Sequence, residues 1–195
     1  MSPRPRKATD EQVFAAVVRV MERVGPSQLT LAAIAKEAGV TAGALVQRFG
    51  SKRALLLTLA AGMADWTGEM FAGLRAAHAS PLAVVRAYGD CFAEMADSPG
   101  GIAHHLAYLQ TDIGDPDFRR HLARQSRSTR DEFRRLLDEA VAAGELRAGV
   151  DTSALARAVQ TTVTGSLMTW AIYEEGPVAT WIREDLDGLL EPYLP

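Results

Sequence analysis

The sequence predicts an all-α protein in which an N-terminal three-helix domain is joined by a long helix to a larger helical domain. Apolar residues recur at helical spacing along nearly the whole chain, and runs that alternate between apolar and polar residues are missing. Helix-starting Ser and Thr and helix-ending Gly and Pro separate these periodic segments. With 195 residues and 48% hydrophobic content, the chain can bury the cores of one or two domains.

The first helix begins after Thr9. This residue and Gln12 have the spacing of a capping box, in which each side chain accepts a hydrogen bond from the backbone N–H of the other residue. The pair Gly25-Pro26 ends the helix. Its predicted inner face comprises Val13, Phe14, Val17, Val18 and Met21.

Two short helices follow and form a helix-turn-helix. Thr30 caps the second helix and Thr41 caps the third. Gly39 supplies the left-handed backbone that a tight turn requires, and Val40 fills the gap between the two helices. The residues predicted to face inward are Leu31, Ile34, Ala35, Leu45 and Phe49.

The rest of the chain reads as longer helices. One runs from Lys52 to about His78, and the others span roughly 81–96, 102–110, 116–143, 152–175 and 177–193. The breaker cluster from Ser98 to Gly101 and the glycines Gly114, Gly144 and Gly176 separate the later helices. We therefore divide the chain into a basic flexible arm (1–8), a helix-turn-helix domain (9–51) and a larger helical domain (52–195).

Charge is distributed unevenly along the chain. Residues 1–60 hold nine Lys and Arg against four Asp and Glu, whereas the whole chain has a formal net charge of −3. A basic N-terminal third on an acidic body indicates that this third meets a polyanion. The alternative is chance variation in composition.

Cysteine count and hydropathy exclude several classes of protein. A single cysteine, Cys91, permits neither an intramolecular disulfide nor a multi-cysteine zinc site, which favours a reducing cytoplasm. The longest apolar run, Ala158 to Tyr173, is shorter than the roughly 20 residues of a membrane helix and contains Gln160. We expect a cytoplasmic protein with no membrane segment, metal or cofactor.

The exposed face of the third helix carries the functional signal. Its N-terminal end is small, so the helix can approach base edges and phosphates closely. Gln47 and Arg48 can donate to adenine or guanine edges in the major groove, and Lys52 and Arg53 stand near phosphates. This face comprises Thr41, Ala42, Gly43, Ala44, Gln47 and Arg48. The competing interpretation is that paired short helices are common in any helical protein.

Residues 9–57 resemble the N-terminal domain of the TetR family. The matching positions are Thr30, Ile34, Ala35, Ala38, Gly39, Val40, Thr41, Gly43, Leu45, Phe49, Ser51, Lys52 and Leu55. The resemblance implies a helix-turn-helix DNA-binding domain joined to a ligand-binding and dimerisation domain. It also implies that DNA faces Thr30, Thr41, Ala42, Gly43, Ala44, Gln47, Arg48 and Lys52. Val46 stands where the family usually has a phosphate-binding tyrosine.

The resemblance further implies a repressor that binds operator DNA as a homodimer through its last two helices. The residues that we assign to this interface are Val159, Val163, Ser166, Trp170, Val178, Trp181, Ile182, Leu186 and Leu189. The alternative is that these stripes form the core of a single chain. An activator, or a regulator that requires a corepressor, remains open.

A small-molecule effector is expected to release the DNA. Residues that combine apolar bulk with a polar group are the candidates for its pocket. They are Trp66, Met70, Tyr88, Cys91, Phe92, Met95, His104, His105, Tyr108 and Trp170. Their mixture indicates a moderately apolar or aromatic effector, although any single residue of this kind is more often part of an ordinary core than of a ligand pocket.

Two other classes of protein compete with this interpretation. An enzyme is disfavoured because His104 and His105 are adjacent on a helix and make a poor metal pair, and nucleophile and phosphate-binding motifs are missing. A helical protein-interaction module would explain the amphipathic helices. It would not explain the basic N-terminal third or the polar face of the third helix.

Overall fold

The computed structural model describes residues 8–94 and 98–195. Within these ranges the regular secondary structure is helical, and no strand is assigned. The all-α prediction is therefore confirmed. The nine α-helices of the described ranges are α1 (Asp10–Arg23), α2 (Leu31–Ala38), α3 (Ala42–Phe49), α4 (Lys52–Ala77), α5 (Pro81–Glu94), α6 (Pro99–Gly114), α7 (Pro116–Ala142), α8 (Thr152–Tyr173) and α9 (Val178–Leu190). A short 3₁₀-helix follows at Glu191–Tyr193. Across the described residues, none of the helices has the length and apolar character needed to cross a bilayer.

Most predicted helix boundaries agree with the structure, and α6 is the main exception. It begins at Pro99, before the predicted start near Ile102, and continues to Gly114. The hydroxyl of Ser98 accepts a hydrogen bond from the backbone N–H of Gly101 at 3.1 Å. A proline in the first turn costs no helical hydrogen bond, so the Ser-Pro-Gly-Gly cluster starts a helix where we predicted a loop.

The chain forms two compact units that do not coincide with the predicted domains. The head unit contains the chain through Gly62 together with Ala103–Leu122, and the body unit contains Met63–Ile102 together with Ala123–Pro195. The predicted division at residues 51 and 52 differs because Leu55 of α4 and Tyr108 of α6 lie in the same hydrophobic cluster as α1–α3. These contacts join residues that are distant in sequence.

The N-terminal arm was predicted to include residue 8. Ala8 is instead buried in the head unit and belongs to its hydrophobic cluster. Arg4, Arg6 and Lys7, which the prediction also assigned to this arm, lie outside the described residues.

The core of the body unit is built by α5, α7, α8 and α9 with part of α4. Gly89 of α5 lies where α9 approaches most closely. A Cβ atom at this position would come within 2.9 Å of Ile182 Cγ2 and Leu186 Cδ1. The absence of a side chain at Gly89 therefore sets the close packing of α5 on α9.

An ion-pair cluster joins α1 to α2 in the head unit. Glu37 accepts from Arg19 Nε at 2.8 Å and from Arg23 Nη2 at 2.6 Å. The hydrogen bonds from Arg19 and Arg23 lower the pKa of the Glu37 carboxyl below its ordinary value of 4.5. Because α2 precedes the turn into α3, this cluster helps to hold α2 in place on α1.

We expect Glu37→Gln to lower the melting temperature of the protein at about pH 7. The carboxyl has a lower pKa in the folded state than in the unfolded chain. Its stabilisation is therefore present above the unfolded pKa and lost as pH falls through the folded value. The difference in melting temperature between the variant and the wild type should shrink as the pH is lowered below 4.5.

Thermal unfolding followed by circular dichroism across this pH range tests the expectation. Glu22→Gln is the control, because Glu22 is an exposed carboxylate of α1 without an ion pair among the described residues. A Glu37→Gln deficit that is the same at every pH would contradict the ionic interpretation.

Candidate nucleic-acid interface and helical body

The turn between α2 and α3 has the geometry that its sequence predicts. Gly39 takes a left-handed backbone with φ of 68°, and its N–H bonds to the carbonyls of Ala35 and Lys36. Thr41 then caps α3 by accepting from the backbone N–H of Ala44 at 3.1 Å. Thr30 caps α2 in the same way through Ala33 at 3.1 Å. These contacts fix the direction in which α3 leaves the turn.

Helix α3 buries one side of its surface and leaves the other open. Leu45 is fully buried, and Phe49 packs partly buried against the head core. Gly43, Ala44 and Gln47 are exposed, as is Val46. The small start of α3 can therefore be approached from solvent, and the side chain of Gln47 makes no hydrogen bond with the described residues.

Arg48 is not free on this surface. Its Nη1 donates to the Ala8 carbonyl at 2.6 Å, and its Nη2 forms an ion pair with Asp10. The guanidinium also lies over the Phe49 ring, 5.4 Å from the centroid. The structure thus places Arg48 as a tie between α3 and the start of α1, a contact that the sequence analysis missed.

The two cations after α3 are also engaged. Lys52 Nζ donates to the Leu29 carbonyl at 2.8 Å, beside the cap residue Thr30. Arg53 was expected at a phosphate, but its Nη2 contacts Asp115 and Asp117, each at 2.9 Å. These hydrogen bonds raise the pKa of Arg53. Arg53 therefore joins the start of α4 to the turn between α6 and α7.

Two predicted pocket residues make contacts within the head unit. Tyr108 is buried in the head cluster and its hydroxyl donates to the Val24 carbonyl at 2.9 Å. Desolvation raises the pKa of Tyr108 to about 12. His104 Nδ1 lies 3.1 Å from the Glu22 carbonyl, and His105 is exposed on α6. The polar groups of Tyr108 and His104 therefore hold α6 against α1, and the place of these residues in an effector pocket stays a prediction.

Other pocket candidates do come together in the body unit. Tyr88 stacks on Phe71 at 5.2 Å and on Phe92 at 5.8 Å between ring centroids, and it meets Phe133 edge-on at 4.8 Å. Burial raises the pKa of Tyr88 to about 12. Met70 packs against the same core. These rings fill the space among themselves, so a ligand would bind beside the cluster or displace one ring.

The remaining candidates occupy different surroundings. Trp66 is exposed on α4, and Met95 lies outside the described residues. Cys91 is half-buried, and burial together with Glu94 and Asp90 raises the pKa of its thiol, which keeps the sulfur protonated. Such a sulfur is a poor nucleophile.

Most of the side chains predicted at a dimer interface pack inside the single chain. Those buried in the body unit are Val159, Val163, Ser166, Trp170, Ile182 and Leu186, while Val178, Trp181 and Leu189 are partly buried. A second copy cannot reach the fully buried ones. Helical periodicity thus identified the inner face of α8 and α9, which packs into the core of this chain, and the part that these residues play in a dimer stays a prediction.

The loop between α8 and α9 is held by two tryptophans. Trp170 Nε1 donates to the Gly176 carbonyl at 2.9 Å, and Trp181 Nε1 donates to the Glu175 carbonyl. Trp181 also stacks on Tyr173 at 5.8 Å between centroids. The loop is thus fixed by side-chain donors that the sequence analysis had assigned to other roles.

Two family models match the chain. The model described as bacterial regulatory proteins, tetR family, matches residues 13–59, and the model described as tetracyclin repressor-like, C-terminal domain, matches residues 83–186. The second match alone covers more than half of the chain. A search of curated protein sequences found no match.

Solved structures show the same fold along nearly the full chain. A TetR transcription regulator from Haloarcula marismortui is 16% identical with a TM-score of 0.77, covering 95% of this chain and 98% of that one. FadR from Bacillus subtilis, in complex with stearoyl-CoA, is 20% identical with a TM-score of 0.71, covering 93% and 97%. SmeT, the repressor of the Stenotrophomonas maltophilia multidrug efflux pump SmeDEF, is 21% identical with a TM-score of 0.67, covering 97% and 92%.

A capped helix-turn-helix with an open third-helix face, a helical body and family models over both parts lead to one conclusion: the chain belongs to the TetR family of bacterial regulatory proteins and is a DNA-binding transcriptional regulator.

Proposed function

We propose that the protein is a homodimeric repressor that binds operator DNA through α3 and is released by a small, moderately apolar effector bound in the body unit. The observation that carries the proposal is the open N-terminal face of α3. Its small residues and exposed Gln47 sit on a helix whose direction is fixed by the Gly39 turn and the Thr41 cap.

Base recognition is assigned to Gln47. A glutamine side chain can pair with adenine through two hydrogen bonds in the major groove. Gly43 and Ala44 allow the helix to approach, and Thr41 with Ala42 stands at the helix N-terminus, where a phosphate is favoured. Thr30 caps α2, and Lys52 binds the carbonyl of the preceding Leu29, so we assign both residues to further contacts with the phosphate backbone of the DNA.

Arg48 receives a different role from the one first expected. Its contacts with Ala8 and Asp10 already use the guanidinium, so we assign it to positioning α3 against α1. Val46 is exposed at the position where a tyrosine hydroxyl is usual in the family, and it offers an apolar surface to the DNA.

Dimerisation is assigned to the outward face of α8, since the inward face is consumed by the core. This face contains a stripe at helical spacing that ends in large exposed apolar residues, with Met168 42% and Ile172 78% exposed. Exposed apolar side chains of this size on a helix indicate a contact surface. A dimer would present two heads to half-sites about 34–36 Å apart.

The effector is assigned to the body unit beside Tyr88, Phe92 and Met70, with Trp66 exposed on the same α4. FadR, which shares the fold, binds an acyl-CoA, so apolar chains are a sensible class to examine first. The start of α4 and the α6–α7 turn are joined through Arg53, and α4 continues from the head unit into the body unit. We propose that effector binding is transmitted along this helix.

We expect Gln47→Ala to weaken binding to the selected operator by about 1–3 kcal/mol and to leave binding to random DNA unchanged. The operator is the duplex that the wild type enriches from random sequences. Fluorescence anisotropy with both duplexes at two salt concentrations measures the effect. The control is Gln110→Ala, which removes an exposed glutamine from α6.

Arg48→Ala should weaken operator binding across the whole site and not at a single base pair, because the contact with α1 positions the whole helix. Loss of discrimination at one base pair alone would return Arg48 to the role of a base reader. Equal losses on both duplexes for Gln47→Ala would remove Gln47 from that role.

We expect Met168→Asp combined with Ile172→Asp to convert the dimer into monomers, because two carboxylates would be desolvated at the interface. Sedimentation velocity at several protein concentrations measures the association. Val18→Asp is the control, since Val18 is 41% exposed on α1 of the head unit. A dimer that survives the double substitution would move the interface away from α8.

An effector should both raise the melting temperature and lower operator affinity. A long-chain acyl-CoA, the free fatty acid and a small aromatic compound form the first panel. A ligand that stabilises the protein without changing DNA binding would contradict the proposed release. If the apolar compounds do not bind and a polar metabolite does, the proposed chemistry of the effector is contradicted.

A further inference from the structure

We propose that Glu174 and Glu175 of one protomer dock onto an arginine cluster formed by Arg130, Arg134 and Arg157 of a second copy. This inference rests on the homodimer of the proposed function. It adds the contact that sets the direction in which the two copies pair.

The arginine cluster lines the groove between α7 and α8 in the body unit. Arg130 and Arg157 border a surface groove of about 550 Å³, and Arg134 joins them in an adjoining groove of about 330 Å³. Asp131 is a carboxylate that also lines the second groove. None of the three arginines forms an ion pair with the residues that the structure describes.

Other arginines of the same unit are neutralised within the chain. Arg75 pairs with Glu139, Arg86 with Asp187, and Arg183 with Asp90. Three guanidiniums gathered without such partners repel one another, so an anionic group in the groove would be stabilised.

The acidic partner lies at the other end of α8. Glu174 and Glu175 are both exposed and have no ion pair with the described residues. Their loop is held by the indole donors of Trp170 and Trp181. The two carboxylates are therefore presented on a fixed backbone, which lowers the entropic cost of docking.

The exposed stripe of α8 connects the two charged ends. It runs through Arg157, Thr161, Thr164, Met168 and Ile172, which share one helical face. Its midpoint falls at Gly165, where an added Cβ would meet nothing within 4 Å. A second α8 can therefore approach closely at the centre of the stripe.

A two-fold axis at Gly165 pairs the charges when the two α8 helices run antiparallel. Each residue then faces the one equally far beyond the axis, so Arg157 faces the partner's Tyr173, next to the partner's Glu174. The separation of Arg157 and Tyr173 along one helix is about 24 Å, at about 1.5 Å per residue. Each protomer contributes one groove and one loop, which gives two identical contacts.

A parallel arrangement of the same helices is disfavoured by the same charges. It would bring Arg157 beside its own copy and Glu174 beside its own copy. Like charges at an interface oppose association and suppress that orientation. The charge pattern along α8 therefore selects the antiparallel pair.

The test uses two charge-reversed variants and their mixture. The groove variant carries Arg130→Glu and Arg157→Glu, and the loop variant carries Glu174→Lys and Glu175→Lys. In the homodimer of either variant, like charges meet at both contacts. The dissociation constant of that homodimer should therefore be at least roughly tenfold higher than that of the wild type. In a mixed dimer every groove faces an opposite charge. An equimolar mixture should therefore restore wild-type affinity as a heterodimer.

Native mass spectrometry with subunits of different mass, together with sedimentation velocity, measures these populations. Circular dichroism melts check that both variants fold; Arg157, Glu174 and Glu175 are exposed in the single chain, and Arg130 is half-buried at the groove. Lys36→Glu, on an exposed cation of α2, controls for net charge. The wild-type dimer should also weaken with added salt, since salt screens exposed ion pairs and shortens the Debye length from about 10 Å at 0.1 M to about 3 Å at 1 M.

The outcomes separate this inference from the proposed function. Homodimers of both variants with wild-type affinity would overturn the docking contact, while a monomeric Met168→Asp, Ile172→Asp protein would keep the α8 dimer. Weakened variants that do not recover on mixing would also overturn the contact. A monomeric wild type would remove the homodimer and the docking contact together.

Discussion

The placement of α3 depends on the hydrophobic contact that this short helix makes with the core of the head unit. Leu45 is fully buried and Phe49 is partly buried, so α3 is attached along one edge and leaves the opposite face in solvent. Eight residues cannot form a stable helix alone, and tertiary packing must supply the stabilisation. The face of α3 opposite Leu45 and Phe49 is therefore open because only these two large side chains of the helix pack against the core.

Side-chain ties surround this small core and give the head its rigidity. Glu37 links α2 to α1 through two arginines, and Arg48 links α3 to the start of α1. Each pair is partly exposed and weak by itself. Together they hold three short helices in one geometry, which a DNA-reading surface requires because base contacts tolerate little displacement.

The head unit also recruits segments that are remote in sequence. Tyr108 enters its hydrophobic cluster and bonds to the end of α1, and Arg53 binds carboxylates of the α6–α7 turn. A change in α6 would thus act on α1 and on the start of α4. Within the head unit, this arrangement supplies a physical route for the release that we propose, since α1, the start of α4 and most of α6 belong to this one compact unit.

The sequence by itself determined the local structure of the protein. Local signals act over three or four residues and can be recognised in the sequence: the caps at Thr9, Thr30 and Thr41 and the turn at Gly39. Together with the helical periodicity, they predicted the helices and the open face of α3.

The tertiary structure decided which long-range contacts form. It placed Tyr108 in the head, tied Arg48 to Asp10, and turned the apolar stripes of α8 and α9 into the core of one chain. Periodicity shows that a face is buried but not what buries it, and an ion pair between distant residues leaves no local pattern.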